Sequence, residues 1–225
     1  NIPIDVIISP EREVAKSLYR KLEAPGALDN VPFVKDKVKL LEILIEKKCP
    51  IANIPLNDLT KKFPEFKAYI FGAERKEKFV FFKKNDEMKV GDKVYLVVST
   101  DQINKLLSVF GHDEKVAKKI LIIGGGNVSL HLAKLLEASE GLRIKIIEKN
   151  KQRAEQIASE LSSSIVICGD PLDEKILKEA NIEEIETVFA LTDDDEDNIM
   201  SCVLAEKYTP SKRTIAIINK HNYNI

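Results

Sequence analysis

The residues best suited to chemistry in this chain stand in "ILIIGGGNVSLHLAKLLE" (residues 120–137). An apolar run ends on Gly124, Gly125 and Gly126, and a helical pattern begins at once with Asn127. Gly124 permits a tight turn off a strand. Gly126 leaves the backbone bare where a pyrophosphate would lie, and the N–H groups of Asn127 and Val128 open the helix toward that anion. Ser129 replaces the third glycine of the G-x-G-x-x-G pattern, so the spacing alone is a weak signal, and its side chain is expected to lift the helix slightly. Glu148 closes the next apolar run. A carboxylate there accepts both ribose hydroxyls and repels a 2′-phosphate, so NAD or an adenosine nucleotide fits better than NADP.

Two more loops belong beside this turn if its strand is central. Gly169 and Asp170 follow the third apolar run, with Asp170 suited to an adenine edge and Asp173 to a helix cap. Thr192 and Asp193 follow the fourth. The acidic run 193–197 reads as the capped, negatively charged start of a helix from about 195. A divalent-cation site is the alternative, but consecutive carboxylates point in different directions. We expect no metal ligands here.

A dehydrogenase would need a proton-transfer group against the nicotinamide. His112 falls in a linker, His131 inside the helix after the glycines and His221 near the last residue. The Tyr–x–x–x–Lys pair of short-chain dehydrogenases does not follow the fourth strand. Cys168 ends an apolar strand and is expected to be buried. No catalytic residue is expected, so the nucleotide is bound and not turned over.

The elements that must position these residues form three segments. Residues 117–225 alternate strands (119–123, 143–147, 164–168, 187–191, 214–218) with helices (about 127–138, 151–161, 172–180, 195–208), the pattern of an α/β, doubly wound parallel sheet of Rossmann type. Residues 30–111 change period, with strands expected at 37–45, 68–74, 78–84 and 93–99, a turn at Gly91–Asp92 and a short helix ending at Gly111: a small α+β domain. Residues 1–27 read as a strand, then a helix from Ser9–Pro10 with Val14, Leu18 and Leu22 on one face.

The bulk numbers narrow the partners. The 225 residues carry 35 basic and 36 acidic side chains, which leaves no global field to attract nucleic acid or anionic lipid. Cys49, Cys168 and Cys202 are far apart and form no metal spacing, which suits a reducing cytoplasm. The apolar runs are far below the roughly 20 residues that span a bilayer. A membrane link would therefore pass through a partner.

The glycine segment, "IKIIEKNKQRAEQIASEL", "VICGDPLDEKILKEANIEEIETVFALTDDDEDNI" and the preceding "FFKKNDEMKVGDKVYLVVSTDQINKLL" together resemble the RCK (KTN) domain family, which regulates potassium conductance. The resemblance covers almost the whole length and extends to the regulatory subunits of bacterial Trk potassium-uptake systems. It implies a sixth strand and crossover helix of one RCK N-lobe over 1–27, its C-lobe over 30–111, and a second, truncated N-lobe over 117–225. It further implies a cytoplasmic regulator, peripheral to the inner face of the membrane, that binds NAD(H) or ATP/ADP and gates an integral-membrane Trk potassium transporter subunit. Homo-oligomers, dimers or larger, would form through the N-lobes, and residues 4–22 could pack on the edge 214–218 of another copy. The site it implies has Gly124–Val128 on the phosphates, Glu148 on the ribose, Gly169–Asp170 at the adenine, Thr192–Asp193 at the inner rim and Asn219 against the ligand. Relatives carry an arginine near Asn219, where this chain has Asn219 and Lys220. The competing class is an NAD-dependent oxidoreductase fragment lacking its catalytic domain.

Overall fold

The computed structural model describes residues 8–64, 68–114, 116–208 and 213–219. The strand expected at the head of the chain, together with Lys220 and His221, falls largely or wholly outside them. The described residues form two compact units: residues from Arg20 to Val116, and those up to Tyr19 together with those from Ala117 onward.

In chain order the first elements are α1 (Pro10–Glu23), β1 (Asp29–Phe33), β2 (Val38–Leu44), α2 (Leu56–Lys62), β3 (Ala68–Arg75), β4 (Lys78–Phe81), β5 (Lys93–Ser99) and α3 (Ile103–Val109). Their strands make an antiparallel sheet in the order β1-β2-β5-β3-β4. Alternate residues of β2 and β5 (Leu41, Ile43, Val94, Leu96, Val98) enter a core shared with Ile103, Leu106, Leu107 and Phe110. This is the period-2 burial of a sheet with one covered face. β1 and α2 were not anticipated. "DNVPF" carries a proline, which a central strand would not accept, and Pro32 is tolerated because β1 lies at the sheet edge.

The expected turn at Gly91–Asp92 is held by charge. Arg75 donates from Nε and Nη2 to the two oxygens of Asp92 at 2.7 and 2.6 Å, and the Lys89 N–H donates to the same carboxylate at 2.7 Å. Burial pushes the Asp92 carboxyl up, but Arg75 and that N–H outweigh it and hold it below the usual range. His112, read as a linker residue, is buried, and neither ring nitrogen has a hydrogen-bond partner among the described residues. Its ring fills the space beside Gly26, which explains why the apparent linker carries a packed side chain.

The second unit contains β6 (Lys119–Ile123), α4 (Asn127–Glu137), β7 (Arg143–Glu148), α5 (Lys151–Glu160), β8 (Ile165–Cys168), α6 (Glu174–Glu179), β9 (Thr187–Ala190), α7 (Asp195–Tyr208) and β10 (Arg213–Ala216). The sheet is parallel, in the order β10-β9-β6-β7-β8. Leu121, Ile123, Ile147, Ile167 and Val188 pack with Leu177 and Ala205 of the helices. The alternating Ile120, Ile122, Ile144 and Ile146 are buried too, so helices cover both faces, as a parallel sheet requires. The doubly wound reading of this segment is correct.

In α1 the buried stripe is Ala15, Leu18 and Leu22, whereas Val14, expected on that face, is 38% exposed. The Tyr19 hydroxyl lies 2.9 Å from the Ser139 hydroxyl, within the parallel-sheet unit of the same chain. Cys168 is exposed and not buried as expected: it is the last residue of β8, which among the described residues is an edge strand with a neighbour on one side only.

Candidate functional site

Strand order places the site. β6 connects to β7 on one side, while β9 lies on its other side, so the order in which strands are added reverses between β6 and β9. Ligands of open α/β sheets bind outside the carboxyl ends of strands at such a switch point. A cavity of about 180 Å³ lies there, lined by Gly124, Gly125, Gly126, Ile147, Glu148, Lys149, Pro171, Leu191, Thr192, Asp193 and Asp197. Asn127 and Val128 open α4 and Gly169 and Asp170 follow β8, and none of the four lines it.

Two glycines have separate physical roles. Gly124 has φ +96°, and a Cβ there would meet the Leu191 carbonyl oxygen at 2.9 Å, so the turn needs glycine both for its backbone angle and for the approach of β9. Gly126 has an ordinary φ of −64° and is the N-cap of α4. A Cβ on it would meet nothing closer than the Leu191 oxygen at 3.9 Å. The space above it is open. The first-turn N–H groups of α4 have no acceptor inside the helix, so an anion seated over Gly126 would meet unspent donors and the positive end of the helix dipole.

Glu148 faces that turn from the end of β7. Its Oε2 accepts the Gly125 N–H and its Oε1 the Asn150 N–H, each at 2.6 Å. A carboxylate has about four lone-pair sites, so acceptor capacity for hydroxyls is left. Asp170 accepts the Leu172 N–H at 2.9 Å and pairs with Lys149 at 3.1 Å. That N–H and the lysine hold its carboxyl below the usual range, and Asp170 in turn raises the Lys149 ammonium.

The acidic run separates into different tasks. Asp194 accepts the Asp197 N–H at 2.8 Å, which caps α7. Asp195 is buried and accepts from the Asn219 backbone N–H at 2.9 Å and its side-chain Nδ2 at 3.2 Å. Asp193 and Asp197 face the cavity. Among the described residues no group of three His, Cys, Asp or Glu side chains is placed to hold a metal.

Asn198, which the sequence reading missed, is fully buried and organises this end of the sheet. Its Oδ1 accepts the Thr192 N–H and hydroxyl at 2.9 and 2.8 Å, while its Nδ2 donates to the carbonyls of Thr192 and Ile217 at 3.0 and 2.9 Å. Thr192 thus shapes the inner wall with its hydroxyl already engaged. Asn219 is turned onto Asp195 and does not line the cavity. Arg153, also missed, donates from Nε to the Gly125 carbonyl at 2.6 Å and from Nη2 to the Asn127 Oδ1 at 3.2 Å. Ser129 is fully buried and its hydroxyl has no partner among the described residues. α4 therefore accommodates a hydroxymethyl group inside its packed face.

A larger cavity, about 590 Å³, lies within the antiparallel unit. Its lining is mostly apolar, with Asn57, Tyr69, Lys83 and Lys84 as the polar exceptions, and it has no glycine turn opening a helix.

The TrkA-C domain family matches residues 40–111, the antiparallel unit, and the TrkA-N domain family matches residues 120–224, the parallel one. The chain belongs to these TrkA domain families. The Trk system potassium uptake protein TrkA of Azorhizobium caulinodans is 42% identical over 224 residues, covering 99% of this chain and 49% of that protein. Its counterpart in Vibrio alginolyticus is 33% identical over 222 residues, covering 99% and 48%. The chain spans about half the length of the curated relatives it matches. Among solved structures, the GsuK RCK domain has a TM-score of 0.59 at 17% identity, covering 94% of this chain and 44% of that one. The GsuK channel bound to NAD has a TM-score of 0.61 at 16% identity, covering 95% and 37%. These likenesses establish the RCK fold.

Proposed function

We propose that this chain belongs to a nucleotide-sensing regulatory subunit of a Trk-type potassium uptake system. The observation that carries the reading is the open space over Gly126 at the start of α4, faced by the Glu148 carboxylate across the same turn. Gly124–Val128 receive the diphosphate of NAD(H) or of ATP/ADP, Glu148 the ribose hydroxyls and Asp170 the adenine side, with Thr192 and Asp193 forming the inner rim. Asn219 supports that rim through Asp195 and does not touch the ligand. The names of the curated relatives, and the NAD carried by the GsuK channel, support this assignment.

In this reading Arg20–Val116 forms most of an RCK C-lobe and the parallel unit an N-lobe. No described helix is long and apolar enough to cross a membrane, so ion passage falls to an integral-membrane Trk subunit on whose cytoplasmic side the chain docks. Ligand binding regulates only through different affinity for two arrangements of the lobes or of N-lobes in an oligomer. A coupling of about 1–3 kcal/mol is ordinary for such a device. The nucleotide is sensed and not consumed.

The test is calorimetric titration of NADH and ADP into the chain and into Glu148→Ala, with NADH absorbance followed in parallel. Saturable binding that weakens in the variant, without NADH oxidation, is expected. Absent binding removes the sensor reading, and steady oxidation would make the chain part of an oxidoreductase.

A further inference from the structure

We infer that Arg153 is a positioning residue of this site, aiming the Gly126 N–H at the bound diphosphate; the inference rests on the nucleotide reading above. Gly125 is gripped at both of its backbone polar groups. Glu148, from the end of β7, accepts its N–H at 2.6 Å. Arg153, from the first turn of α5, donates to its carbonyl at 2.6 Å. The two side chains carry opposite charge and hold successive peptide planes of one short loop.

The geometric consequence follows from peptide planarity. The carbonyl of Gly125 and the N–H of Gly126 belong to one peptide unit, which is trans. In a trans unit the two bonds are coplanar and point in opposite directions. Drawing the carbonyl onto the guanidinium therefore turns the Gly126 N–H to the opposite side. Two adjacent glycines have little intrinsic preference for one orientation of the plane between them, so an outside constraint is needed to fix it. A flipped peptide would present a carbonyl oxygen where an anion needs a donor.

The guanidinium is itself held in place. Nη1 donates to the Gln156 Oε1 at 2.9 Å and Nη2 to the Asn127 Oδ1 at 3.2 Å. Asn150 caps α5 by accepting the Arg153 N–H at 3.0 Å, which fixes the turn from which the side chain departs. Arg153 does not line the cavity. It acts through the loop and would affect only ligands that bear phosphate.

The experiment compares ADP with adenosine on the wild-type chain, Arg153→Ala and Arg153→Lys, using calorimetry for ADP and saturation-transfer NMR for adenosine. Arg153→Ala is expected to weaken ADP about tenfold or more and leave adenosine unchanged, with the Gly126 amide resonance shifted in the free protein. Arg153→Lys, which keeps the charge and one donor, is expected to recover part of the ADP affinity. Equal loss of both ligands would make Arg153 a brace without a phosphate role, and unchanged ADP affinity would overturn the inference outright. Wild-type protein that binds neither ligand would sink the nucleotide reading itself, and the two failures are thereby distinct.

Discussion

Replacing Gly126 with Asp should separate folding from binding, because it moves the two in opposite directions. Gly126 is the N-cap of α4 with an extended ψ of −179°, a conformation any residue adopts. Its added Cβ meets nothing closer than the Leu191 carbonyl oxygen at 3.9 Å, an ordinary contact. Asp is among the preferred N-caps, a few tenths of a kcal/mol better than Gly, and its charge complements the helix dipole by about 0.3–1 kcal/mol. The variant should therefore be as stable as the parent or slightly more so. For a diphosphate the same carboxylate is a competitor: it occupies the exposed donors and repels the ligand. At a separation of ~4 Å and an effective dielectric of about 20 the repulsion is roughly 4 kcal/mol, which salt and side-chain rotation reduce to about 2 kcal/mol. That is a weakening of about 30-fold. Thermal melting beside calorimetric titration of ADP provides the assay. An Asp variant that binds ADP like the parent would refute the placement of the phosphates. One that unfolds would refute the description of the N-cap.

Three further outcomes follow from the fold. Gly124→Ala should cost at least about 1–2 kcal/mol in chemical denaturation, since its φ of +96° is strained for Ala and the Leu191 oxygen blocks the Cβ. Arg75→Ala should destabilise the antiparallel unit by roughly 3 kcal/mol, as it strands the buried Asp92 carboxylate; a loss under 1 kcal/mol would show the pair to be dispensable. Glu137 supplies a pH dependence: burial pushes its carboxyl up, but the N–H groups of Ser162, Ser163 and Ser164 and the Ser164 hydroxyl outweigh this and take it from 4.5 to about 2. A depressed carboxyl stabilises the fold above the unfolded value and loses that contribution as pH falls from about 4.5 to 2. Glu137→Gln should therefore remove about 1–2 kcal/mol at neutral pH after allowance for solvent screening, and should match the parent near pH 2.

Much of this was legible in the sequence, for identifiable reasons. The strands "KILII" and "TVFA" are buried on both faces and so read as continuous apolar runs. The turn at Gly124–Gly126 is legible because a strand that runs straight into a helix leaves few other choices. What stayed hidden depends on which way polar side chains turn. "TDDDEDN" reveals an acidic cap but not that Asp195 and Asn198 turn inward to bind the strand ends, and Asn219 is diverted from the cavity for the same reason. Arg153 gave one usable signal, an arginine in the first turn of the helix that follows Glu148. Its reach back to the glycine loop is a tertiary contact. β1 and α2 are short and carry loop-like residues, so pairing and packing decide them over local preference.

The central claim, a diphosphate held on the turn from Gly124 to Val128 with its ribose on Glu148, is tested most directly by mapping ADP onto the ¹⁵N-labelled chain. The largest amide shifts should fall at residues 124–128, at 148–150 and beside Asp170, and should saturate together. Shifts concentrated among residues around the cavity of the antiparallel unit, with the glycine amides unmoved, would contradict it.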